Sequence, residues 1–277
     1  MTASKIAFDY ARDGFVFPLD IMTRAGAEAL RADLEQGEAE LAGDPQRLGL
    51  LRGFPARVLP SFDRLVRHPK MVEAARAVLG SDVMVWGSGL FIKEANAPSY
   101  VSWHQDLTYW GLDKAEETTI WVALSPTTEA SGCMRIIPGS HREQILPHAD
   151  SFAADNLLTR GQEIQVEVDE DAAVDIVLQP GQASLHHGHL FHASGPNTTG
   201  DRRIGAAIRY IAPSMRARSG PETEVMLIAG EDHFGHFTIV PPPARRMDDA
   251  DFERIAADSE RRERILFDGT GGHRRLR

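Results

Sequence analysis

The chain has 277 residues, of which 42% are hydrophobic and 25% charged, and its formal net charge is −10 at pH 7. This length suffices for a sizeable core, and the acidic balance argues against nucleic acid or an anionic membrane as a partner. The single cysteine, Cys133, excludes an internal disulfide, and no window approaches the roughly 18 apolar residues of a membrane span. The first residues lack the apolar segment of a signal peptide. We therefore expect one domain, residues 1–277, in the cytoplasm.

Three segments carry the signals of helices. Residues 23–42 repeat apolar side chains such as Leu30 near one face, with charged residues between them. Residues 69–79 begin with proline and are followed by Gly80, which are start and stop signals. Residues 248–267 begin with aspartate and carry arginine in later turns, the order that the helix dipole favours. The sequence therefore predicts helices near both ends of the chain.

The middle of the chain consists of shorter segments rich in β-branched and aromatic residues and bounded by glycine, proline and asparagine. Alternation is clearest around Ile164, Val166 and Val168, which are separated by polar residues. Several short strands separated by turns predict a mainly β fold with flanking helices, as a sandwich or jelly roll. The predicted strands are residues 82–93, 118–125, 132–139, 163–170, 173–188 and 203–213.

The segment SWHQDLTYWG, residues 102–111, contains two potential metal ligands. In a strand, residues at i and i+2 point to the same face, so His104 and Asp106 can bind one metal ion together. Two histidines and one carboxylate form a set that leaves positions of an iron ion open for substrate and dioxygen. The third ligand must then come from a distant strand of the same barrel.

Residues 185–197 contain four histidines, and spacing favours His192 as the third ligand. Arg203 follows eleven residues later, where a guanidinium can bind a carboxylate through two parallel hydrogen bonds. Ser194 can donate its hydroxyl to the same carboxylate. If this segment is one extended strand, His186 shares a face with His192, and it is a candidate for contact with substrate, with packing as the alternative.

Arg209 has the same strand parity as Arg203 and should point into the same barrel. Gly205 and Ala207 lie between them on that face, and their small size leaves room for a ligand. An inward arginine needs an anion, which either a substrate or an internal salt bridge can supply.

Four residues that flank the predicted metal ligands are candidates for the substrate pocket. Lys93 and Asn96 precede the metal-binding segment and are predicted to lie at the rim of the pocket. Tyr109 and Trp110 follow it, and both contact with substrate and packing in the core remain open for them.

The blocks WHQD with YW, TIWVALSPTTEASGCMRIIPGSH and HHGHLFHASGPNTTGDRR occur in this order, from residue 103 to residue 203. Together they resemble the phytanoyl-CoA dioxygenase family, and the similarity runs from about Phe8 to about Pro213. Members are iron(II)- and 2-oxoglutarate-dependent oxygenases that use dioxygen. The resemblance implies their double-stranded β-helix, a jelly roll of the cupin type.

The resemblance implies that His104, Asp106 and His192 are the catalytic iron(II) ligands. Halogenating relatives have glycine or alanine where this chain has Asp106, which leaves room for a halide on the iron. The aspartate therefore favours hydroxylation of a C–H bond, with release of succinate and CO2, over chlorination.

The resemblance also implies a site for the cosubstrate. Arg203 and Ser194 correspond to residues that bind a carboxylate of 2-oxoglutarate, and Trp121 to an aromatic residue that lines the cosubstrate site. Gln105, between two of the metal ligands, is expected beside the cosubstrate.

Two other functions remain as alternatives. A cupin-type metalloenzyme that does not use 2-oxoglutarate has no need for Arg203 at this spacing, and a non-enzymatic β-sandwich binding module has no need for the metal ligands. The acidic surface and the inward Arg209 favour a small anionic or zwitterionic metabolite as the substrate. The sequence leaves free and CoA- or carrier-bound substrates open, and it predicts no oligomeric state.

Overall fold

The computed structural model describes residues 1–218 and 220–267. Helices flank the sheets, and four of them begin with proline, whose fixed φ suits the first turn. The helices predicted over residues 23–42, 69–79 and 248–267 are confirmed as α2, α6 and α7. The helices of the described part are α1 (Ala3–Asp13), α2 (Arg24–Glu40), α3 (Pro45–Gly53), α4 (Pro55–Val58), α5 (Pro60–Val66), α6 (Pro69–Leu79) and α7 (Asp249–Leu266). None of these helices combines the length and the apolar character that crossing a membrane requires.

The strands lie between α1 and α7 along the chain, most of them in the middle as predicted. Those of the described residues are β1 (Phe15–Asp20), β2 (Val83–Lys93), β3 (Val101–His104), β4 (Glu117–Ala123), β5 (Met134–Ile136), β6 (His148–Asp150), β7 (Gln162–Ile164), β8 (Val174–Ile176), β9 (Gln182–His186), β10 (His192–Ser194), β11 (Arg203–Ile211), β12 (Glu224–Ala229) and β13 (Thr238–Ile239).

Two sheets form the body of the protein. The larger has the order β1-β9-β4-β11-β2-β12-β13, and the smaller has the order β3-β10-β5-β8. Trp121 and Ala207 of the larger sheet pack in one buried apolar cluster with Met134 and Ile176 of the smaller sheet. The sheets therefore face each other, and they form the double-stranded β-helix that the sequence predicted. Strands β6 and β7 form a separate two-stranded sheet.

Strand β11 separates the helical core from the interior of the barrel. Its even-numbered residues, from Ile204 to Tyr210, are buried in the same apolar cluster as residues of α2, α5 and α6. The Tyr210 hydroxyl donates a hydrogen bond of 2.8 Å to the Val66 carbonyl at the end of α5. Because side chains alternate along a strand, the odd-numbered residues, which include Arg203 and Arg209, face the other sheet.

Two of the predicted strands are wrong in extent. Strand β7 ends at Ile164, and the alternating residues after it have no sheet partner, so Val166 is 39% exposed. The segment 173–188 is divided between β8 and β9, which belong to different sheets. The chain turns between them at Gly181, whose φ of 91° favours glycine and whose added Cβ would lie 2.5 Å from the Met22 carbonyl oxygen.

A pair of phenylalanine variants tests the assignment of the helical core. Phe62 of α5 is 1% exposed within this core, whereas Phe8 of α1 is 65% exposed. We expect Phe62→Ala to lower the free energy of unfolding by about 3–5 kcal/mol, because it removes buried apolar surface and leaves a cavity. Phe8→Ala should change it by less than about 0.5 kcal/mol. Chemical denaturation of both variants measures the difference, and equal losses would contradict the packing described.

Candidate metal centre

Three predicted metal ligands converge at one point of the barrel. His104 ends β3, His192 begins β10, and the two residues lie opposite each other in neighbouring antiparallel strands. Asp106 begins a 3-10 helix over Asp106–Thr108, so it is not on the strand that its spacing from His104 suggested. The turn nevertheless brings its carboxylate Oδ1 to 3.3 Å from His104 Nε2 and 3.9 Å from His192 Nε2. One donor atom from each residue lies within 4.8 Å of the other two.

Both histidines are held in an orientation that suits metal binding. Nδ1 of His104 lies 2.9 Å from the Ser102 carbonyl oxygen, and Nδ1 of His192 lies 2.9 Å from that of Leu190. Since a carbonyl can only accept, each Nδ1 carries the proton, and the lone pair of each Nε2 is directed towards Asp106. The imidazoles are thus fixed in the tautomer that a metal ion requires.

Burial and charge shape the protonation of these groups. Burial, reinforced by the nearby His104, lowers the pKa of His192 well below its usual value, so the neutral form that binds metal is favoured. Burial alone would raise the pKa of Asp106, but its interactions with His104 and His192 hold that pKa far below its usual value, so the carboxylate form is favoured. The set therefore presents two imidazole Nε2 atoms and one carboxylate, a donor set that fits iron(II).

His186 lies beside this set without belonging to it. Its Nε2 is 4.0 Å from the Asp106 carboxylate, but its buried Nδ1 has no hydrogen-bond partner among the described residues. Burial lowers its pKa to about 4, so it is neutral at neutral pH. It borders a buried cavity that is also lined by Arg203 and Ser194. It does not border a second, larger cavity, which is lined by Trp86 and Trp110. Because residues 187–191 form a turn, one continuous strand does not relate it to His192, as the sequence interpretation had assumed.

Arg203 is a buried cation without a counter-ion. It is 3% exposed, and its Nε and Nη2 have no hydrogen-bond partner in the described part of the chain. Its guanidinium lies 5.3 Å from the centre of the Trp121 ring, which packs against it. Burial lowers its pKa to about 10, and no carboxylate within residues 1–218 and 220–267 opposes that effect. Such a site is suited to an anion from outside the protein.

Lys93 adds a second basic side chain to the same site. The sequence placed it at the rim of the substrate pocket, but it is fully buried, and its Nζ lies 2.6 Å from Ser194 Oγ. Burial, followed by the charge of Arg203, lowers the pKa of Lys93 to about 6. The register of β2 against β11 explains the difference, because Lys93 pairs directly with Arg203. The Ser194 oxygen accepts from Lys93, so its hydroxyl hydrogen is available to a ligand.

Gly205 was predicted to leave room for a ligand between the two inward arginines, but the space beside it is filled by a side chain. A Cβ added to Gly205 would lie 1.7 Å from Cζ2 of Trp121. The missing side chain therefore makes room for the tryptophan ring and not for a ligand. Ala207, in contrast, borders the cavity that contains Arg203.

Two other candidates lie away from both cavities. The Gln105 side chain is fully buried, donates to the carbonyls of His189 and Gln144, and accepts from the backbone N–H of Leu146. Its amide therefore joins loops around the metal centre, and it borders neither cavity. Asn96 is exposed in a turn, with a φ of 54°. It does not lie at the rim of the pocket, as had been predicted from the sequence.

A larger cavity of about 300 Å³ opens on the other side of the metal centre. His104, Asp106 and Arg209 border both this cavity and the one with Arg203, so the metal centre lies at their junction. Tyr109 and Trp110 line the larger cavity, and Trp110 also packs against a buried apolar cluster. Sequence reasoning missed the rest of the wall, which includes Phe54, Trp86, Leu158, Ser259, Ile265 and Leu266.

The chain is similar to a known protein family and to a solved structure. The sequence model of the family described as phytanoyl-CoA dioxygenase (PhyH) matches residues 10–205. A solved structure of a non-heme monooxygenase, ThoJ in its apo form, superposes with a TM-score of 0.84 at 35% sequence identity and covers 95% of this chain and 98% of that one.

Two curated relatives are dioxygenases of small molecules by name. The probable alpha-ketoglutarate-dependent hypophosphite dioxygenase of Stutzerimonas stutzeri is 27% identical over 182 residues, which are 64% of this chain and 63% of the relative. The ectoine dioxygenase of Bordetella parapertussis (strain 12822 / ATCC BAA-587 / NCTC 13253) is 30% identical over 149 residues, which are 49% of this chain and 48% of the relative. The chain thus spans less than two thirds of the length of either relative.

Metal titration of single-histidine variants tests the donor set. We expect His192→Ala to weaken iron(II) binding by more than about 100-fold, because the loss of an outer hydrogen-bond partner alone costs 10–100-fold. The control is His186→Ala, which removes a neighbouring buried imidazole outside the donor set and should keep binding within about threefold of the native protein. Anaerobic titration of the purified proteins with iron(II) measures both. Loss of binding in His186→Ala, or its persistence in His192→Ala, would contradict the assignment.

Proposed function

Because the chain belongs to the phytanoyl-CoA dioxygenase family, we propose that it is an iron(II)- and 2-oxoglutarate-dependent dioxygenase that hydroxylates a C–H bond of a small molecule. One observation carries the proposal: an oriented set of two histidines and an aspartate lies beside a buried arginine that has no counter-ion among the described residues. The first feature suits iron and the second suits a dicarboxylate cosubstrate. The names of the related dioxygenases support the same conclusion.

His104, Asp106 and His192 would hold the metal through two Nε2 atoms and one carboxylate oxygen. Bound iron(II) with 2-oxoglutarate activates dioxygen, so that 2-oxoglutarate is converted to succinate and CO2 while an oxygen atom is inserted into a substrate C–H bond. The carbonyls of Ser102 and Leu190 keep both imidazoles in the required tautomer. Since Asp106 supplies a third protein ligand where halogenating relatives have none, we propose hydroxylation and not halogenation.

Arg203 would bind the far carboxylate of 2-oxoglutarate through its unpartnered Nε and Nη2. The hydroxyl of Ser194 can donate to the same carboxylate, and Lys93 Nζ, which lies 2.6 Å from that hydroxyl oxygen, leaves the hydroxyl hydrogen free to do so. Trp121 packs against the guanidinium and keeps water from it. These residues fix the cosubstrate at one end, so that its other end reaches the metal centre.

The substrate would bind in the larger cavity, on the opposite side of the metal centre. A volume of about 300 Å³ is at the lower end of the range for ligand pockets and suits a small molecule. The inward Arg209 supports an anionic or zwitterionic substrate. His186 would form part of the wall between substrate and cosubstrate as a neutral side chain. We further propose that the sheets and the flanking helices act as a single catalytic domain.

Neighbouring arginines allow a matched test of the cosubstrate site. Arg203→Gln should raise the 2-oxoglutarate concentration needed for half-maximal turnover by about 10–100-fold, because hydrogen bonds between charged groups contribute about 1.5–3 kcal/mol. Arg202→Gln is the control, since Arg202 is paired with Glu38 and Glu94 outside the barrel, and it should leave that concentration unchanged. Succinate formation at a series of 2-oxoglutarate concentrations provides the measurement.

Two results would contradict the proposal. An equal requirement for 2-oxoglutarate in both variants would remove Arg203 from the cosubstrate site. Substrate oxidation that does not depend on 2-oxoglutarate would favour the cupin-type alternative.

A further inference from the structure

A second arginine, Arg209, faces the interior half-buried and forms no ion pair with a described residue. The side chain of Arg209 donates no hydrogen bond to a described residue, forms no ion pair with one, and its buried Nε has no partner. Part of the residue remains exposed towards the larger cavity, which it lines together with His104 and Asp106. A guanidinium has five N–H donors, so Arg209 directs unused donors into the space beside the metal centre.

Two acidic residues interact electrostatically with Arg209 without forming an ion pair with it. Asp106 and Glu117 are the charged groups that favour its ionised form, but neither lies within ion-pair distance. On the proposed function, the Asp106 carboxylate is occupied by the metal. Glu117 accepts a hydrogen bond from the backbone N–H of Gly188, and burial raises its pKa well above its usual value, which favours its neutral form.

Arg262, which lines the same cavity, differs from Arg209 because its guanidinium has hydrogen-bond partners within the protein. Arg262 of α7 binds Asp258 at 2.8 Å and donates to the backbone carbonyls of Trp86 and Glu224 at 2.9 and 2.6 Å. Its guanidinium carbon lies 4.5 Å from the centre of the Trp86 ring. Trp86 stacks on Trp110 with ring centres 5.2 Å apart, and the guanidinium carbon of Arg209 lies 5.2 Å from the centre of the Trp110 ring. This stack holds Arg209 in place from one side, so its charge, unlike that of Arg262, is left for a ligand.

Arg209 is separate from the arginine of the proposed cosubstrate site. The two residues are six positions apart on β11, so their Cα atoms are roughly 20 Å apart at about 3.3 Å per residue. Arg209 lines both cavities, whereas Arg203 lines only the one beyond the metal centre. Arg209 can therefore bind an anion in the larger cavity, which Arg203 does not line.

The remainder of the larger cavity combines apolar side chains with polar ones, among them Thr159, Gln162 and Glu263. Its wall is completed by α7, which lies outside the part of the chain that the family model matches, residues 10–205. Apolar side chains from four parts of the chain face the space next to Arg209, namely Phe54, Phe91, Tyr109, Leu158, Ile265 and Leu266. These apolar side chains suit an occupant that combines one anionic group with an apolar portion.

We infer that the substrate is a small free carboxylic acid, whose carboxylate binds Arg209 and whose apolar body lies against the wall completed by α7. A thioester or amide carbonyl is a neutral acceptor and would leave the buried guanidinium uncompensated, so an acyl group attached to CoA or to a carrier fits this site less well. The inference rests on the proposed function, which makes the occupant of this cavity a substrate and assigns Asp106 to the metal.

The test compares acids with their neutral amides. The probes are hexanoate, benzoate and 3-phenylpropanoate, each paired with its primary amide, and binding to the full-length protein is followed through the fluorescence of Trp86 and Trp110. We expect the best acid to bind about 10–100-fold more tightly than its amide, because the carboxylate forms charge-assisted hydrogen bonds. In Arg209→Gln this preference should disappear, with the amide unaffected, and Arg202→Gln should retain it.

A second variant and a second readout keep the test decisive. Arg209→Lys keeps the charge but loses the planar pair of donors, so it should weaken acid binding by about 10-fold even if Arg209→Gln does not fold. The visible charge-transfer band of the anaerobic iron–2-oxoglutarate complex should persist in both variants. Absence of that band from the native protein would reject the proposed function, whereas acid binding to the metal-free protein would still test the role of Arg209.

Three results would overturn the inference. Acids and amides could bind the native protein equally, or every acid could fail to bind. Alternatively, the Arg209 variants could keep the preference for acids and instead raise the requirement for 2-oxoglutarate, which would assign Arg209 to the cosubstrate.

Discussion

The burial of guanidinium groups without internal anions is the constraint on which the rest of this structure depends. A charge removed from water costs several kcal/mol unless it is paired, even after the surroundings relax. Arg203 and Arg209 face the inside of the barrel under these conditions, whereas Arg202 lies outside it and is paired with Glu38. The opposite face of β11, from Ile204 to Tyr210, is buried in the apolar core beneath the helices, and this packing offsets the free-energy cost of the inward arginines.

The candidate metal centre lies at the junction of two cavities; Arg209 borders both of them and Arg203 only one. On the proposed function, an anionic cosubstrate on one side and an anionic substrate on the other would balance the charges of these arginines. The orientation of the imidazoles does not depend on either ligand, because backbone carbonyls of the same strands or turns hold His104 and His192. The protein thus prepares the metal ligands in advance and leaves the charges of both cavities to be balanced by what binds there.

Sequence reasoning succeeded where an element is regular. Along β11 the period of two placed Arg203 and Arg209 on one face correctly, because that strand is paired on both sides over almost its whole length. The same reasoning failed after Ile164, where no neighbouring strand enforces the alternation, and between His186 and His192, where the chain turns. His104 and Asp106 came together as predicted, but through a 3-10 turn and not through a shared strand face.

The sequence by itself determined the chemistry of the site and the family, because ligand types, their order and the arginine after the distal histidine are properties of the chain. Only the tertiary structure decided which side chains share a cavity. Lys93 was predicted at the rim of the pocket but lies beside Arg203, and Gln105 was predicted beside the cosubstrate but bonds to loops. Trp110 lines a cavity together with residues of α7. The physical reason is that spacing reports positions within one element, whereas contacts between distant elements depend on how the whole core packs.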